Sequence, residues 1–205
     1  GTGERLDNAD VLMQDGKIAA VGKNLSAPAN ARIVDGTGKW ITPGIIDIHS
    51  HLGVYASPGI QATSDGNEAT NPVTSDVWAE HSVWPQDAGF AKALAGGVTS
   101  LQILPGSANL VGGRSVILKN VAAETAQAMK FPGAPYGIKM ACGENPKRVY
   151  GEKGGPSTRM GNMAGYRQAF MDAQGYRKEW DNYNAGGRKG KAPEQNLKKE
   201  TLAGV

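Results

Sequence analysis

The chain has 205 residues, a formal net charge of +3, and 40% hydrophobic, 20% charged and 6% aromatic residues. These values are typical of a globular protein, and so small a positive charge does not indicate a nucleic-acid partner. Cys142 is the one cysteine, so an intrachain disulfide is excluded. No apolar run is long enough to span a bilayer and no signal peptide is recognisable, so we expect no membrane partner. The compartment stays open: cytoplasmic, or periplasmic or secreted if a signal peptide has been removed.

The first predicted element is a β-hairpin. Residues 11–22 form two short β-like runs joined by Asp15-Gly16, a dipeptide typical of a two-residue hairpin turn. The segment 31–39 follows and leads to a Thr-Pro-Gly turn at 42–44.

The most informative stretch comes directly after that turn, where an Ile-rich run predicts a buried strand ending in two histidines. Side chains at i and i+2 leave the same face of a strand, so His49 and His51 can converge on one cation at about 2.0–2.1 Å. Asp47 projects from that face one step deeper, where it could orient a ligand. Ile46 and Ile48 lie on the opposite face, which we expect to pack under helices. The alternative is that both histidines are ordinary hydrogen-bonded residues of the surface or core.

The ordered series Asp-Gly-Lys-Ile, Val-Gly, Pro-Gly and Asp-x-His-x-His over residues 15–51 resembles the amidohydrolase superfamily, particularly its imidazolonepropionase-like branch. The resemblance implies an α/β fold: the first part of a (β/α)8 TIM-type barrel, preceded by a small β-sandwich segment. Residues 1–43 would form that segment, incomplete at its start, and residues 44–205 the first three or so βα units. A complete barrel needs about 250 residues, so we expect an N-terminal part of a longer enzyme.

The remaining elements follow from the pattern of apolar residues, glycines and prolines. We predict a core role for Met160, Met163 and Phe170 of the long helix, with Ser157 as its N-cap. In chain order the predicted elements are a long loop (52–85), a helix (87–95), a strand (98–104), a Gly-Gly-Arg turn (112–114), a strand (115–119), a third barrel strand (137–143), the long helix (158–183), a flexible linker (185–193) and the start of a further helix (194–202).

Two residues near the third strand are candidates to complete a metal site. Glu144 follows the strand end, on the same expected rim as the histidines, and is the first candidate for a third ligand. The alternative is a carboxylate bonded to loop amides or paired with Arg148. Lys139 lies inside the strand and is a weaker candidate, because the superfamily members that use a carbamylated lysine carry it one strand later.

Four further side chains are candidates for substrate binding: His81 near the end of the long loop, Arg114 beside two glycines, and Lys147 and Arg148 after the third strand. A guanidinium close to backbone amides suits a substrate carboxylate. The alternatives are a hydrogen-bonded loop histidine, an exposed arginine in a tight turn, and a solvated loop.

The resemblance implies a metal-dependent hydrolase that cleaves an amide-like C–N bond with one or two divalent ions, Zn²⁺ first among them. The substrate would be a small molecule: a dipeptide, an N-acyl amino acid or a cyclic amide. In this superfamily further ligands come from strands 5 and 6, and the catalytic base from strand 8, so we assign no catalytic residue within this chain. A complementary chain or a homo-oligomer is the expected partner. The alternative is an inactive fragment or a metal-binding subunit.

Overall fold

The computed structural model describes residues 3–204 and divides the chain into two compact units, Gly1–Pro43 and Gly44–Val205. Gly1, Thr2 and Val205 lie outside the described residues, and with them the outermost ends of the two predicted segments.

The first unit contains the predicted hairpin. Strands β1 (Asp10–Gln14) and β2 (Lys17–Gly22) pair antiparallel. Asp15 and Gly16 have φ values of 52° and 71°, and two positive φ values in succession define the turn that suits a two-residue hairpin. The hairpin is therefore confirmed. No other strand is formed by residues 3–43, so the β-sandwich stays a prediction.

The second unit mixes strands and helices, as an α/β fold requires. Short 3₁₀ helices cover Gln61–Thr63, Ala79–His81 and Gly151–Lys153. In chain order the longer elements are β3 (Ile45–Ser50), α1 (Ala88–Ala95), β4 (Val98–Ile103), β5 (Val111–Arg114), β6 (Val116–Lys119), α2 (Ala126–Met129), β7 (Ile138–Met140), α3 (Glu144–Tyr150), α4 (Arg159–Ala185) and α5 (Leu197–Ala203).

The central sheet has the strand order β3-β4-β6. Strands β3 and β4 are parallel and are connected through α1, as in a βα unit. Residues of β4 and β6 that face the core, Leu101, Ile103 and Leu118, are fully buried and pack against Phe90 of α1. Burying such apolar side chains is the main stabilising contribution here, at about 1.5–3 kcal/mol for each.

The prediction that β3 is buried was wrong. Ile46 is 68% exposed and Ile48 is 72% exposed. Helix α1 packs mainly against β4, and β3 lies at the edge of its sheet with a hydrogen-bonded neighbour on one side only. Within the described residues, the face expected to lie under helices is open to solvent.

The third predicted barrel strand does not take the place expected beside β4. Strand β7 pairs antiparallel with β5 in a separate two-stranded sheet, and β6 lies next to β4 instead. This arrangement arises because the chain turns back after β4 and forms both β5 and β6. Strand β6 then pairs with β4, and β5 pairs with β7. The one parallel strand pair within residues 3–204 is thus β3–β4.

Helix α4 forms where predicted but presents a different face to the core. Its N-cap is Thr158, whose side chain accepts a hydrogen bond from the backbone of Gly161 at 3.0 Å, and not Ser157. Met160 and Met163 are 79% and 56% exposed, so their predicted core role was wrong. The buried positions of the helix are Asn162, Tyr166, Ala169, Ala173 and Tyr176.

The reason for this face is close packing. A side chain at Gly165 would overlap Leu110, so the helix approaches Leu110 through its small residues. Phe170 is half-buried and packs, as predicted, against a second core cluster, which is formed by Leu110, Val111, Tyr166, Ala169, Ala173 and Leu202. Helix α5 adds Leu202 to the same cluster.

Among the helices of residues 3–204, none combines the length and apolar content that crossing a bilayer requires.

The long connection between β3 and α1 is packed against the rest of the unit. Val54 and Ala56 are fully buried, and the side-chain amide of Asn109 donates to the carbonyl oxygens of Glu68 and Asn71. The predicted loop is therefore irregular in backbone but fixed in place.

Asp87 fixes both the start of α1 and the beginning of this connection. Its buried carboxylate accepts hydrogen bonds from the backbone of Gly53 at 2.9 Å, Gly89 at 2.9 Å and Ser57 at 3.2 Å. Burial raises the pKa of Asp87, but these hydrogen bonds and the charge of Lys92 lower it by more, so the pKa lies below its ordinary value.

Asp87→Asn should therefore destabilise the protein at neutral pH. Since hydrogen bonds to a charged group contribute about 1.5–3 kcal/mol, we expect a loss of that size in the free energy of unfolding. A lowered pKa stabilises the fold above the pKa of the unfolded chain, about 3.9, and this contribution is lost as the pH falls through the folded value. Urea unfolding at pH 7 and pH 3 measures both, and the variant should approach the wild type at pH 3. An equal difference at both pH values would contradict this account, and Asp65→Asn, at an exposed position of the same connection, is the control.

Candidate metal centre

The two histidines of the Asp-x-His-x-His stretch lie side by side at the C-terminal end of β3. The ring centroids of His49 and His51 are 5.3 Å apart, with planes at 88°. The alternation of side chains along the strand brings both rings to one face, as the sequence predicts. One cation can therefore reach both.

His51 is held in a defined orientation. Its Nδ1 lies 2.8 Å from the carbonyl oxygen of Leu104, at the end of β4. A carbonyl oxygen can only accept, so Nδ1 carries the proton and the neutral ring presents the lone pair of Nε2. A hydrogen bond of this kind is how proteins commonly fix a metal-binding imidazole. The ring of Tyr55 contacts the edge of His51 at 5.7 Å between centroids.

Asp47 supports His49 through the main chain. Its Oδ1 accepts a hydrogen bond from the backbone N–H of His49 at 3.0 Å. It therefore fixes the backbone that carries His49, whereas the sequence predicted a position one step deeper from which Asp47 could orient a ligand.

Lys139 of β7, the weaker candidate in the sequence, lies directly beside His49. Its Nζ is 3.2 Å from Nε2 of His49, and the residue is only 7% exposed. Burial lowers the pKa of Lys139. The positive charge of Lys139 is the largest cause that lowers the pKa of His49, followed by burial and by His51, while Asp47 opposes them. The available signal was a lysine in the middle of a three-residue apolar strand.

These residues fit a divalent ion in part. His51 offers a free Nε2, and the lowered pKa favours His49 in the neutral form that a metal requires. An ammonium at Lys139 would repel a cation, so the set fits when Lys139 is uncharged or carries a carbamate. Residues 3–204 bring together no group of three His, Cys, Asp or Glu side chains around one point. The described chain thus supplies two imidazoles, fewer than the ligand set of a protein metal site.

Glu144 is not brought together with the two histidines. It begins α3, and its Oε1 accepts a hydrogen bond from Nε of Arg148 at 3.0 Å, with both side chains about two-thirds exposed at 66% and 65%. The structure thus shows the alternative considered for this carboxylate. An exposed pair of this kind contributes little to stability.

The four predicted substrate-binding residues separate into two places. His81 stacks on Trp78 at 5.6 Å with planes at 6°, and the guanidinium carbon of Arg114 lies 4.6 Å from the centroid of the same Trp78 ring. Lys147 and Arg148 lie instead on α3, the latter paired with Glu144. Trp78, which joins His81 to Arg114, was not singled out from the sequence because only the folded loop brings it to β5.

Lys139→Met should raise the pKa of His49 towards its ordinary value, because the substitution removes the charge that lowers it most. An NMR titration of the imidazole C2–H signal of His49 in metal-free protein measures the shift. Lys119→Met removes a lysine from the exposed side of β6 and serves as the matched control. An unchanged titration of His49 in Lys139→Met, or an equal change in Lys119→Met, would show that the contact does not control the imidazole.

No protein-family model matches the chain. The amidohydrolase tasK of Hapsidospora irregularis is 38% identical over 177 residues, which cover 80% of this chain and 18% of that protein. A dihydroorotase of Mycobacterium tuberculosis is 42% identical over 101 residues, which cover 41% of this chain and 22% of the dihydroorotase.

A crystal structure of an amidohydrolase from Thermotoga maritima superposes with a TM-score of 0.85 and 44% sequence identity, covering 94% of this chain and 49% of that one. The chain thus spans about half of the solved relative and less than a quarter of these two curated relatives. These matches, together with the paired histidines that end β3, show that the chain belongs to the amidohydrolase superfamily.

Proposed function

We propose that the chain is part of a metal-dependent hydrolase that cleaves an amide-like C–N bond. The observation that carries the proposal is the pair of imidazoles at the end of β3, one of which has its Nδ1 committed to the carbonyl of Leu104. The names of the relatives, amidohydrolase and dihydroorotase, support a C–N bond as the target. The substrate class is a dipeptide, an N-acyl amino acid or a cyclic amide.

The proposed ion would supply the chemistry of hydrolysis, and residues of this chain would hold the ion. One or two divalent ions, with Zn²⁺ as the first choice, would polarise the scissile carbonyl and lower the pKa of a bound water to about 7. His51 offers its Nε2 lone pair in a fixed direction, and His49 offers the nitrogen that Lys139 now contacts. The hydrogen bond from the His49 backbone to Asp47 holds the end of the strand.

For Lys139 the proposal differs most from the expectation based on the sequence. Burial disfavours the charged form and lowers the pKa of Lys139, so the uncharged amine is reached more readily than at an exposed lysine. An uncharged amine can add CO₂ to give a carbamate and release one proton, which places a negative charge beside His49; starting from the ammonium, two protons leave in all. Lys139 in that form is the candidate third ligand from this chain, in place of Glu144.

The proposal includes residues from outside the described chain. Residues 3–204 bring together no three His, Cys, Asp or Glu side chains around one point, and the carboxylate of Asp47 is bonded to the His49 backbone, so we assign neither the remaining ligands nor a general base to them. A complementary chain or a second copy would supply them. The open edge of β3, with Ile46 and Ile48 exposed, supports such a partner because unpaired edges are prone to association.

A second candidate function is a metal-binding subunit without activity of its own. This candidate is favoured because residues 3–204 contain no cluster of three His, Cys, Asp or Glu side chains that could hold a metal ion. The two candidates share the metal site and differ in whether added residues produce turnover.

Metal binding should depend on His49 and His51 and not on His81. Co²⁺ reports its coordination through visible absorption, and equilibrium dialysis gives its affinity for the 205-residue chain. We expect weak binding that falls by about tenfold or more in His49→Ala and in His51→Ala, because loss of even an outer-shell partner commonly costs 10–100-fold. His81→Ala is the matched control and should bind as the wild type does. Equal binding by all four proteins would rule out the site.

Hydrolysis separates the two candidate functions. Because ligands and base are incomplete among the described residues, we expect the isolated chain to show little or no turnover of dipeptides, N-acyl amino acids or cyclic amides with added Zn²⁺. The readout is the hydrolysis product measured by chromatography: a released amine for the dipeptides and N-acyl amino acids, and the ring-opened amino acid for the cyclic amides. Substantial Zn²⁺-dependent turnover would show that no residues from outside are needed, and would remove the inactive subunit from consideration.

A further inference from the structure

Arg114 carries a positive charge that the fold places against aromatic rings. Its guanidinium carbon lies 4.6 Å from the ring centroid of Trp78 and 5.9 Å from that of Tyr136. Both distances lie within the range of a cation–π contact. An arginine held in this way keeps the N–H groups of its planar edge available for a carboxylate.

A second stacked arginine in the same chain shows what is different about Arg114. Arg5 lies over Trp40 at 4.6 Å, the same distance, but its Nε also contacts Asp7 at 3.0 Å. Within residues 3–204 the guanidinium of Arg114 has neither an acidic partner nor a side-chain hydrogen bond. One stacked arginine is therefore neutralised within the chain and the other is not.

The carboxylate of Glu80, which lies at the same group of rings, already has partners of its own. Glu80 has a buried side chain, its Oε2 lies 2.7 Å from Nζ of Lys130, and the hydroxyl of Tyr136 donates to it at 3.3 Å. The hydrogen bond to Glu80 is the largest cause that raises the pKa of Lys130. Glu80 and Lys130 thus cancel one another, and the charge of Arg114 remains.

The backbone around Arg114 is arranged to bring these groups together. The N–H of Arg114 donates to the carbonyl of Val77 at 2.8 Å, and Trp78 forms a parallel bridge with Arg114. Gly113 has φ of +106°, and a Cβ at this position would overlap the Val77 carbonyl. Only glycine therefore allows the 77–78 segment to lie against β5.

Flat rings surround the unpaired guanidinium; those of Tyr136 and His81 are open to solvent, whereas Trp78 is half-buried. The rings of Trp78 and Tyr136 are 5.4 Å apart, and His81 stacks on Trp78. Tyr136 is 40% exposed and the His81 side chain 67% exposed. A bare inorganic ion would use only the charge, whereas a carboxylate on a flat or apolar body would use both the charge and the rings.

We infer that Arg114, Trp78, His81 and Tyr136 form a binding site for a small-molecule carboxylate with a flat or apolar body. The site requires neither His49 nor His51, so it stands without a metal. It rests on the proposed hydrolase function only in one respect: the bound carboxylate would then be the acid end of an N-acyl amino acid or dipeptide substrate.

The test compares two ligands that differ only in charge. Hippurate carries an aromatic acyl group and a carboxylate, and hippuramide replaces the carboxylate with an amide. Both are titrated into the metal-free 205-residue chain, with the indole N–H signal of Trp78, assigned by Trp78→Phe, followed by NMR. Hippurate should shift this signal saturably, and hippuramide should bind at least about tenfold more weakly because it loses a charge-assisted hydrogen bond. Inorganic phosphate should also bind more weakly than hippurate.

Two arginine variants complete the experiment. Arg114→Gln should weaken hippurate binding by about tenfold or more, whereas Arg5→Gln, at the stacked arginine that has its own carboxylate, should leave it unchanged. Circular dichroism checks the fold of both, and Arg114→Lys, which keeps the charge but loses the planar fork, serves if Arg114→Gln does not fold and should also bind more weakly.

Equal binding of hippurate and hippuramide would overturn the inference, as would equal effects at Arg5 and Arg114. Phosphate binding as tight as that of hippurate would overturn the assignment of the ligand class. Because no metal is present, failure here leaves the metal-binding test untouched, and loss of metal binding in the histidine variants leaves this test untouched.

Discussion

The pairing of the ends of β3 and β4 is the constraint on which the candidate metal centre depends. Leu104 takes part with both of its main-chain groups: its N–H donates to the carbonyl of Ser50 at 3.0 Å, and its own carbonyl accepts from Nδ1 of His51 at 2.8 Å. Close approach of the two strands requires Gly44, where a side chain would overlap Thr99. The parallel register thus determines both the position of the second histidine and which of its nitrogens is free.

The loop that follows the histidines is built onto the same strand ends. Tyr55, whose ring meets the edge of His51, fits between Gly66 and Gly106, and a side chain at either glycine would overlap it. Asn67 donates to the Tyr55 hydroxyl and accepts from the backbone of Ala108. The loop after β3 is therefore bonded to the loop after β4. This explains why an irregular segment can support a site that needs fixed side chains.

Features set by neighbouring residues could be predicted from the sequence, and features set by distant contacts could not. The turn at Asp15 and the common face of His49 and His51 follow from local backbone geometry. The contact of Lys139 with His49 joins residues 90 positions apart and depends on the unpredicted pairing of β7 with β5. The helical spacing of α4 was correct, but which face is buried depends on Leu110, and so the exposed methionines were misjudged.

Lys139 gives the candidate centre a property that its histidines alone would not have. Burial lowers the pKa of Lys139, and its charge in turn lowers the pKa of His49. Both shifts disfavour the protonated forms, which are the forms that exclude a cation. Proton release and metal binding are then linked at one point, because each proton lost from this pair removes a repulsion. Since β7 supplies the lysine, the antiparallel β5–β7 sheet brings a charge beside two candidate ligands that lie at the end of β3.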